Sequence, residues 1–213
     1  TVSHSEKTFM SVEVTARNTG GHSSRPKKDN AIYDLSKAML NLSKYEFPVL
    51  QSELTQAYFE KTAGLVTDTV IAEAMAEFAK DKNDKTAVAT LRSYPQYIGA
   101  TGTTCVATLL KGGHADNALP QSATATINCR IFPGISAEAT LDQLIAVASN
   151  DALEWRIINN VEAAPESPLN EVVMGAVERV VHEEYPGLPI VPAMSLGRRT
   201  ANISEWPVFQ VMH

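Results

Sequence analysis

The chain has 213 residues, enough to bury the core of one large domain, or of one domain and part of another. Its 44% hydrophobic and 20% charged residues are typical of a soluble globular protein, and its net charge of -6 argues against a nucleic-acid or anionic-membrane surface. No apolar run reaches the roughly 18–20 residues of a membrane span. Neither nucleic acid nor a membrane is therefore an expected partner.

The first half of the chain predicts a strand followed by helices. Residues 10–16 alternate apolar and polar side chains, many of them β-branched, which indicates a half-buried strand. A turn at Asn18-Thr19-Gly20-Gly21 ends it. Apolar residues from Ile32 to Leu42 then recur at helical spacing. Residues from about 52 to 84 predict further helix.

The period changes in the second half. Residues 103–110 and 122–131 predict two strands, because β-branched and alternating side chains dominate both. Ser136 is a suitable N-cap for the next helix, and residues 155–161 predict another strand. The order is βαββαβ with extra helices, so we predict an α+β fold with a ferredoxin-like arrangement of four antiparallel strands and a helical insertion.

The tail beyond Pro165 starts a new pattern. A helix is predicted after Ser167-Pro168, and short strands at residues 190–194 and 207–212. A segment of this size cannot form a core alone.

The two cysteines, Cys105 and Cys129, lie in predicted strands. An even count permits a disulfide, but we interpret them as a pair of buried core thiols. The compartment stays open.

His22 stands in Gly20-Gly21-His22-Ser23-Ser24-Arg25-Pro26, at a predicted loop between strand and helix. A histidine placed there can donate a hydrogen bond to a developing oxyanion. By residue type alone, an exposed turn histidine is the better fit.

A second polar group runs from Gly112-Gly113 through Asn117 to Arg130. An asparagine amide both donates and accepts hydrogen bonds, and an arginine fork binds a carboxylate bidentately. The pair suits the carboxylate end of an amino-acid derivative, although both residues could instead stabilise a Gly-rich hairpin.

Both motifs, in this order, resemble the lid domain of the two-zinc metallopeptidase family of aminoacylases, glutamate carboxypeptidases and succinyl-diaminopimelate desuccinylases. The resemblance rests on Gly20–Ser24 with Asn30-Ala31-Ile32, and on Asn117–Pro120 with Cys129–Gly134. It implies a lid and dimerisation domain at residues 7–163, with a helical insert at about 49–100. Residues 164–213 would then return into an α/β zinc-peptidase catalytic domain.

The resemblance also implies roles for single residues. His22 would reach across a homodimer to stabilise the oxyanion in the partner's active site, Asn117 would contact substrate, and Arg130 would bind its carboxylate. The parent enzyme would hydrolyse a peptide or N-acyl amino acid by attack of a zinc-bridging hydroxide, with a Glu as general base.

The sequence differs from the family at the zinc ligands. Two motifs match the family's ligand pairs by residue type alone, His114-Ala115-Asp116 and Glu183-Glu184. The first lies in the predicted lid hairpin, and the second is at the end of a predicted amphipathic helix. We therefore expect zinc in the parent enzyme and no native zinc site in this chain. His213 could correspond to the family's distal zinc histidine, whereas Ser195–Thr200 lacks the family's usual Thr-Asp loop.

Two hypotheses follow. The chain is a fragment of a zinc hydrolase, inactive alone, or a non-catalytic dimerisation or binding module with the same lid fold. An enzyme's lid should turn His22, Asn117 and Arg130 towards an open cleft, whereas a structural module should bury or pair them. A nucleotide site is disfavoured, because neither Gly-Gly pair has a phosphate-loop motif.

Overall fold

A computed structural model describes residues 1–165 and 167–197. The strands are β1 (Val2–Glu6), β2 (Thr8–Arg17), β3 (Gly21–His22), β4 (Thr104–Gly112), β5 (Ala118–Leu119), β6 (Ser122–Ile131), β7 (Glu154–Ile157) and β8 (Pro192–Ser195). The helices are α1 (Ala31–Lys44), α2 (Glu53–Ala63), α3 (Thr69–Lys80), α4 (Lys85–Arg92), α5 (Pro95–Ile98), α6 (Ala137–Ala148) and α7 (Glu171–Glu184). The predicted mixed α+β class is confirmed. Within this part of the chain, no helix combines the length and apolar composition needed to cross a bilayer.

The chain divides into two compact units. The sheet unit consists of Thr8–Pro48 and Thr103–Ala163. The helical unit consists of Thr1–Lys7, Val49–Gly102 and the described residues from Ala164 onward. Each unit has its own hydrophobic core.

The sheet unit contains a four-stranded sheet in the order β4-β6-β2-β7, with every neighbouring pair antiparallel. The two central strands pair along their whole lengths, from Thr8 opposite Ile131 to Arg17 opposite Ser122. Alternate side chains of these strands are buried on one face, as their apolar–polar alternation requires. The buried set is Met10, Val12, Val14, Ala16, Ala123, Ala125, Ile127, Cys129 and Ile131.

Two helices cover that face of the sheet. Asn30 caps α1 by accepting a hydrogen bond from the backbone N–H of Ile32 at 2.9 Å, and Ser136 caps α6 through the N–H of Ala139 at 3.0 Å. The N-cap predicted at Ser136 is therefore confirmed. Leu35 of α1 and Leu144 of α6 are buried in the same core as the strands.

The helix expected at about residues 52–84 is instead two helices, α2 and α3, and α4 follows directly. The chain leaves the first helix at Gly64, and Asp68 caps the second by accepting from the N–H groups of Val70 and Ile71. Asp84 caps α4 by accepting from the backbone N–H of Ala87. A side-chain acceptor at each start satisfies backbone donors that a continuous helix would bond internally.

The core of the helical unit lies among these helices. Phe59 of α2 and Phe78 of α3 are fully buried and meet edge to face, with ring centroids 5.0 Å apart. In the same unit β1 pairs in parallel with β8. β1 was not predicted, because residues 2–6 form a short segment of mostly polar side chains. The strand predicted at 207–212 lies outside the described residues.

The interpretation of Cys105 and Cys129 as free thiols is wrong. They occupy directly opposite positions on β4 and β6, their Cα atoms are 4.1 Å apart, and a disulfide joins them. The pattern of side chains predicts the two strands but not their register, and a one-residue slip in register would turn the two side chains to opposite faces.

Candidate functional site

Two motifs that lie far apart in the sequence meet in a small ribbon at one end of the sheet unit. β3 pairs with β5, with Gly21 opposite Leu119 and His22 opposite Ala118. The N–H of Ser23 also donates to the backbone oxygen of Asn117 at 2.9 Å. The ribbon, which was not predicted, therefore joins the His22 loop to the Asn117 hairpin.

The His22 loop is fixed at its base by backbone geometry and one lysine. Gly20 has a φ of 70°, and a Cβ there would lie 2.8 Å from Cγ of Gln121, so the position needs glycine. Lys27 Nζ donates to Thr19 Oγ1 at 3.0 Å and to the Gly20 oxygen at 3.1 Å. Lys27 was not identified from the sequence, because its partners depend on how the loop closes.

His22 itself is exposed and is held through one ring nitrogen. Its Nδ1 lies 2.8 Å from Oγ of Ser24 and 3.2 Å from the Ser24 backbone nitrogen. Within the described residues, Nε2 makes no hydrogen bond. An open groove beside it is lined by Gly21, Ser24, Arg25 and Lys27 as well as the imidazole. The groove wall is therefore positively charged, with no carboxylate among those residues.

Asn117 is also exposed, at the end of a turn in which the Ala118 N–H donates to the Ala115 oxygen at 3.3 Å. Its backbone holds the ribbon together, which leaves the side-chain amide at the surface. His22 and Asn117 are thus neighbouring, solvent-facing polar groups on one support.

Arg130 lies near the other end of β6, opposite Phe9 and Thr104 on the adjacent strands. Its guanidinium carbon is 4.7 Å from the centroid of the Phe9 ring, a cation–π distance. Its Nη1 is buried and has no hydrogen-bond partner among the described residues. A buried guanidinium nitrogen without a protein acceptor is able to donate to an acceptor that a ligand brings.

The expected convergence of all three residues does not occur within one chain. Arg130 is eight positions along β6 from Ser122, where the strand leaves the ribbon. At strand geometry that separation is roughly 27 Å. One end of the sheet therefore has the histidine and the amide, and the opposite end has the arginine.

In the described ranges, no three His, Cys, Asp or Glu side chains lie close enough together to hold a metal ion. His114, Asp116, Glu183 and Glu184 all fall within those ranges. His213 lies outside them.

Curated relatives match almost the whole chain at low identity. An N-fatty-acyl-amino acid synthase/hydrolase, PM20D1, from Xenopus tropicalis is 24% identical over 92% of this chain and 38% of its own length. A probable carboxypeptidase S-like 2 from Dictyostelium discoideum is 25% identical over 90% of this chain and 36% of its own. The chain thus spans less than two fifths of the length of these relatives.

Solved structures agree on the fold. An M20 family metallo-carboxypeptidase, Sso-CP2, from Sulfolobus solfataricus aligns with a TM-score of 0.55 at 17% identity, over 92% of this chain and 53% of that one. A tripeptidase from Staphylococcus aureus aligns with a TM-score of 0.52 at 14% identity, over 90% and 39%.

The family model for the M20 peptidase dimerisation domain matches residues 4–156, which is most of the chain. That span includes both the His22 ribbon and Arg130. The chain belongs to the M20 peptidase dimerisation domain family.

Proposed function

We propose that this chain is the lid of an M20 hydrolase that cleaves the amide bond of a peptide or an N-acyl amino acid. In it, His22 donates a hydrogen bond to the developing oxyanion, Asn117 contacts the substrate, and Arg130 binds the substrate's carboxylate. Two of the relatives, a probable carboxypeptidase and an N-fatty-acyl-amino acid synthase/hydrolase, are named for substrates of this class.

The ribbon supports the roles of His22 and Asn117. An oxyanion donor must present an N–H in a position fixed before the reaction begins. His22 is anchored through Nδ1 and backbone pairing and leaves Nε2 open, while the Asn117 amide is exposed beside it. A purely structural ribbon has no need of either exposed group.

The buried Nη1, which has no acceptor among the described residues, supports the role of Arg130. A carboxylate in front of the guanidinium would accept from the buried Nη1 and remove the cost of leaving that donor unpaired. The ring of Phe9 packs against the guanidinium at a cation–π distance. This observation favours a substrate contact over the alternative that Arg130 merely stabilises a hairpin.

Dimerisation through the lid would bring the two ends together. β4 is an edge strand of the sheet and exposes Val106, Leu109 and Leu110. Thr104 lies opposite Arg130, and Gly112, at the other end of β4, lies opposite Ala123 near the ribbon. If two copies pair antiparallel along β4 about a twofold axis, Arg130 of one protomer faces the partner's His22.

The fold and domain assignments belong to the same proposal. Strand order β4-β6-β2-β7 with α1 and α6 on one face supports a ferredoxin-like lid within residues 7–163, with residues 49–100 inserted and 164–213 returning into the catalytic domain. The described residues do not fit a zinc site. We assign zinc to the rest of the parent enzyme and expect this chain alone to be inactive.

The test is complementation between two inactive forms of the parent enzyme, His22→Ala and Arg130→Ala. Each variant homodimer has the same substitution in both of its active sites. A mixed dimer has one site with both lesions and one with neither. After unfolding and refolding an equal mixture, about one quarter of wild-type activity should return, since half of the dimers are mixed and each has one intact site.

The control is a mixture of His22→Ala with His22→Ala/Arg130→Ala, which contains no intact site and should stay inactive. If the first mixture also stays inactive while its dimers form, the two residues do not serve a shared site across the dimer. If both single variants retain full activity, the alternative of a non-catalytic dimerisation module is favoured.

A further inference from the structure

Three arginines lie on the strands of the four-stranded sheet, and they differ in their partners. Arg17 Nε donates to both carboxylate oxygens of Glu154, at 2.8 and 2.9 Å. Arg156 Nη2 donates to Oε1 of Glu13 at 2.8 Å. Arg130 makes no ion pair within the described residues, and its buried Nη1 has no acceptor there. Its guanidinium is therefore held in another way.

Strand β2 places a different side chain opposite the arginine of each neighbouring strand. Glu13 is opposite Arg156 of β7, whereas Phe9 is opposite Arg130 of β6. Phe9 and Arg130 alternate with buried core residues, so both lie on the face of the sheet that α1 and α6 do not cover. There the centroid of the Phe9 ring is 4.7 Å from the guanidinium carbon, and both residues are half-buried.

A ring and a carboxylate hold an arginine with different consequences. A carboxylate neutralises the charge and accepts hydrogen bonds from N–H groups that would otherwise reach a ligand. The face of an aromatic ring attracts the cation through its quadrupole, and it leaves the net charge and the N–H donors at the edge of the guanidinium in place. Arg130 is therefore anchored and still able to bind an anion.

We infer that Phe9 is a positioning residue that holds the guanidinium of Arg130 in place and leaves its donors for the carboxylate of the substrate. A guanidinium that is ordered in advance loses less conformational entropy when the ligand binds. The inference rests on the proposed function for the identity of that ligand, but the ordering of Arg130 can be measured without any ligand. The sequence did not single out Phe9, because the predicted strand starts at Met10 and the partner of Phe9 depends on strand register.

The first readout is the mobility of the Arg130 side chain, from ¹⁵N relaxation of its Nε–H group in the 213-residue chain. Its signal is the one that Arg130→Lys lacks. Position 9 receives phenylalanine with one or three fluorine atoms, which withdraw electron density from the face of the ring and change its size little. The order parameter of Arg130 should fall with each step of fluorination, to below about 0.6 with three fluorines.

Two controls separate the charge distribution of the ring from its shape. Phe9→Tyr adds a para substituent but keeps an electron-rich ring, so Arg130 should stay as ordered as in wild type. Arg156, which pairs with Glu13, should keep its order parameter in every variant. Thermal unfolding of each variant checks that the fold is intact.

The second readout is hydrolysis of N-dodecanoyl-leucine by the parent enzyme. The trifluorinated variant should raise KM about fivefold, equivalent to about 1 kcal/mol for one cation–π contact. The kcat should change little, because the carboxylate is bound away from the bond that is cleaved. The KM for the carboxamide of the same compound, which has no negative charge, should change much less.

The outcomes separate the two claims. An order parameter of Arg130 that is the same in wild type and in the trifluorinated variant overturns the positioning role of Phe9. A lower order parameter with an unchanged KM supports that role and instead removes Arg130 from substrate binding. A lower order parameter with a raised KM for the carboxylate substrate supports both.

Discussion

His4 of β1 shows how burial sets the behaviour of a single residue. Its Nε2 lies 2.8 Å from Sδ of Met174 on α7, and desolvation lowers the pKa of its imidazole below the ordinary 6.5. Burial disfavours the charged form, because a thioether sulfur cannot replace the water that solvates an imidazolium. The unfolded chain therefore binds a proton more readily than the folded chain.

We expect stability to depend on pH through His4. Since the folded pKa is lowered, the stabilising contribution is fully present above 6.5 and is lost as the pH falls below that value. Urea unfolding at about pH 8 and pH 5 should show a larger loss of stability in wild type than in His4→Gln.

The exposed His114 provides a control. Between the two pH values, the variant His114→Gln should lose as much stability as wild type. Equal losses of stability in wild type and His4→Gln would contradict this account.

At the scale of the element, β4 is the least protected strand of the sheet. It is paired on one side by β6, with a register shift between Ala107 and Leu109, and most of its residues are exposed. An exposed edge strand must be held to its sheet by other means or fray. The disulfide between Cys105 and Cys129 joins β4 to β6 near the start of the strand.

Removing that cross-link should destabilise the sheet unit. The cysteines are 24 residues apart, and closing a loop of that length corresponds to roughly 3.5 kcal/mol of stabilisation. The double variant Cys105→Ala/Cys129→Ala should therefore unfold at a clearly lower urea concentration than wild type. Val172→Ala, on α7, should lower it much less, because that side chain is 81% exposed.

The disulfide can be checked directly by alkylating the unfolded protein before any reduction and measuring its mass. Two alkyl groups added under these conditions would show free thiols, and the stability difference would then need another cause.

For the whole molecule, the proposed function requires polar groups from two copies of the chain. The His22 ribbon and Arg130 occupy opposite ends of one sheet, so a single lid cannot bring them to one substrate. The exposed apolar edge of β4 offers a pairing surface that leaves both ends accessible. We therefore expect self-association to be part of the site.

Sedimentation of the chain with Leu109 and Leu110 both replaced by Lys tests this arrangement. These leucines are 60% and 71% exposed, and a twofold dimer would bury two copies of each. At about 1.5 kcal/mol or more for each buried side chain, the dimer should weaken by roughly 10,000-fold or more. Val172 and Val180 on α7 are exposed to a similar degree, and Lys at both should leave the dimer intact. A wild-type monomer at high concentration, or an unaffected Lys variant, would rule out pairing through β4.

The sequence by itself determined the local structure and the chemical groups. Alternation in residues 122–131 predicted both ends of β6, and Ser136 was predicted as the N-cap of α6. The Gly-Gly-His motif singled out His22. These predictions were possible because periodicity and turn chemistry are properties of neighbouring residues. Only the tertiary structure decided what these groups meet. Strand register joined Cys105 to Cys129, the ribbon brought His22 beside Asn117, and the length of β6 separated both from Arg130. Such pairings depend on how distant segments align, and a one-residue slip reverses the face on which each side chain lies.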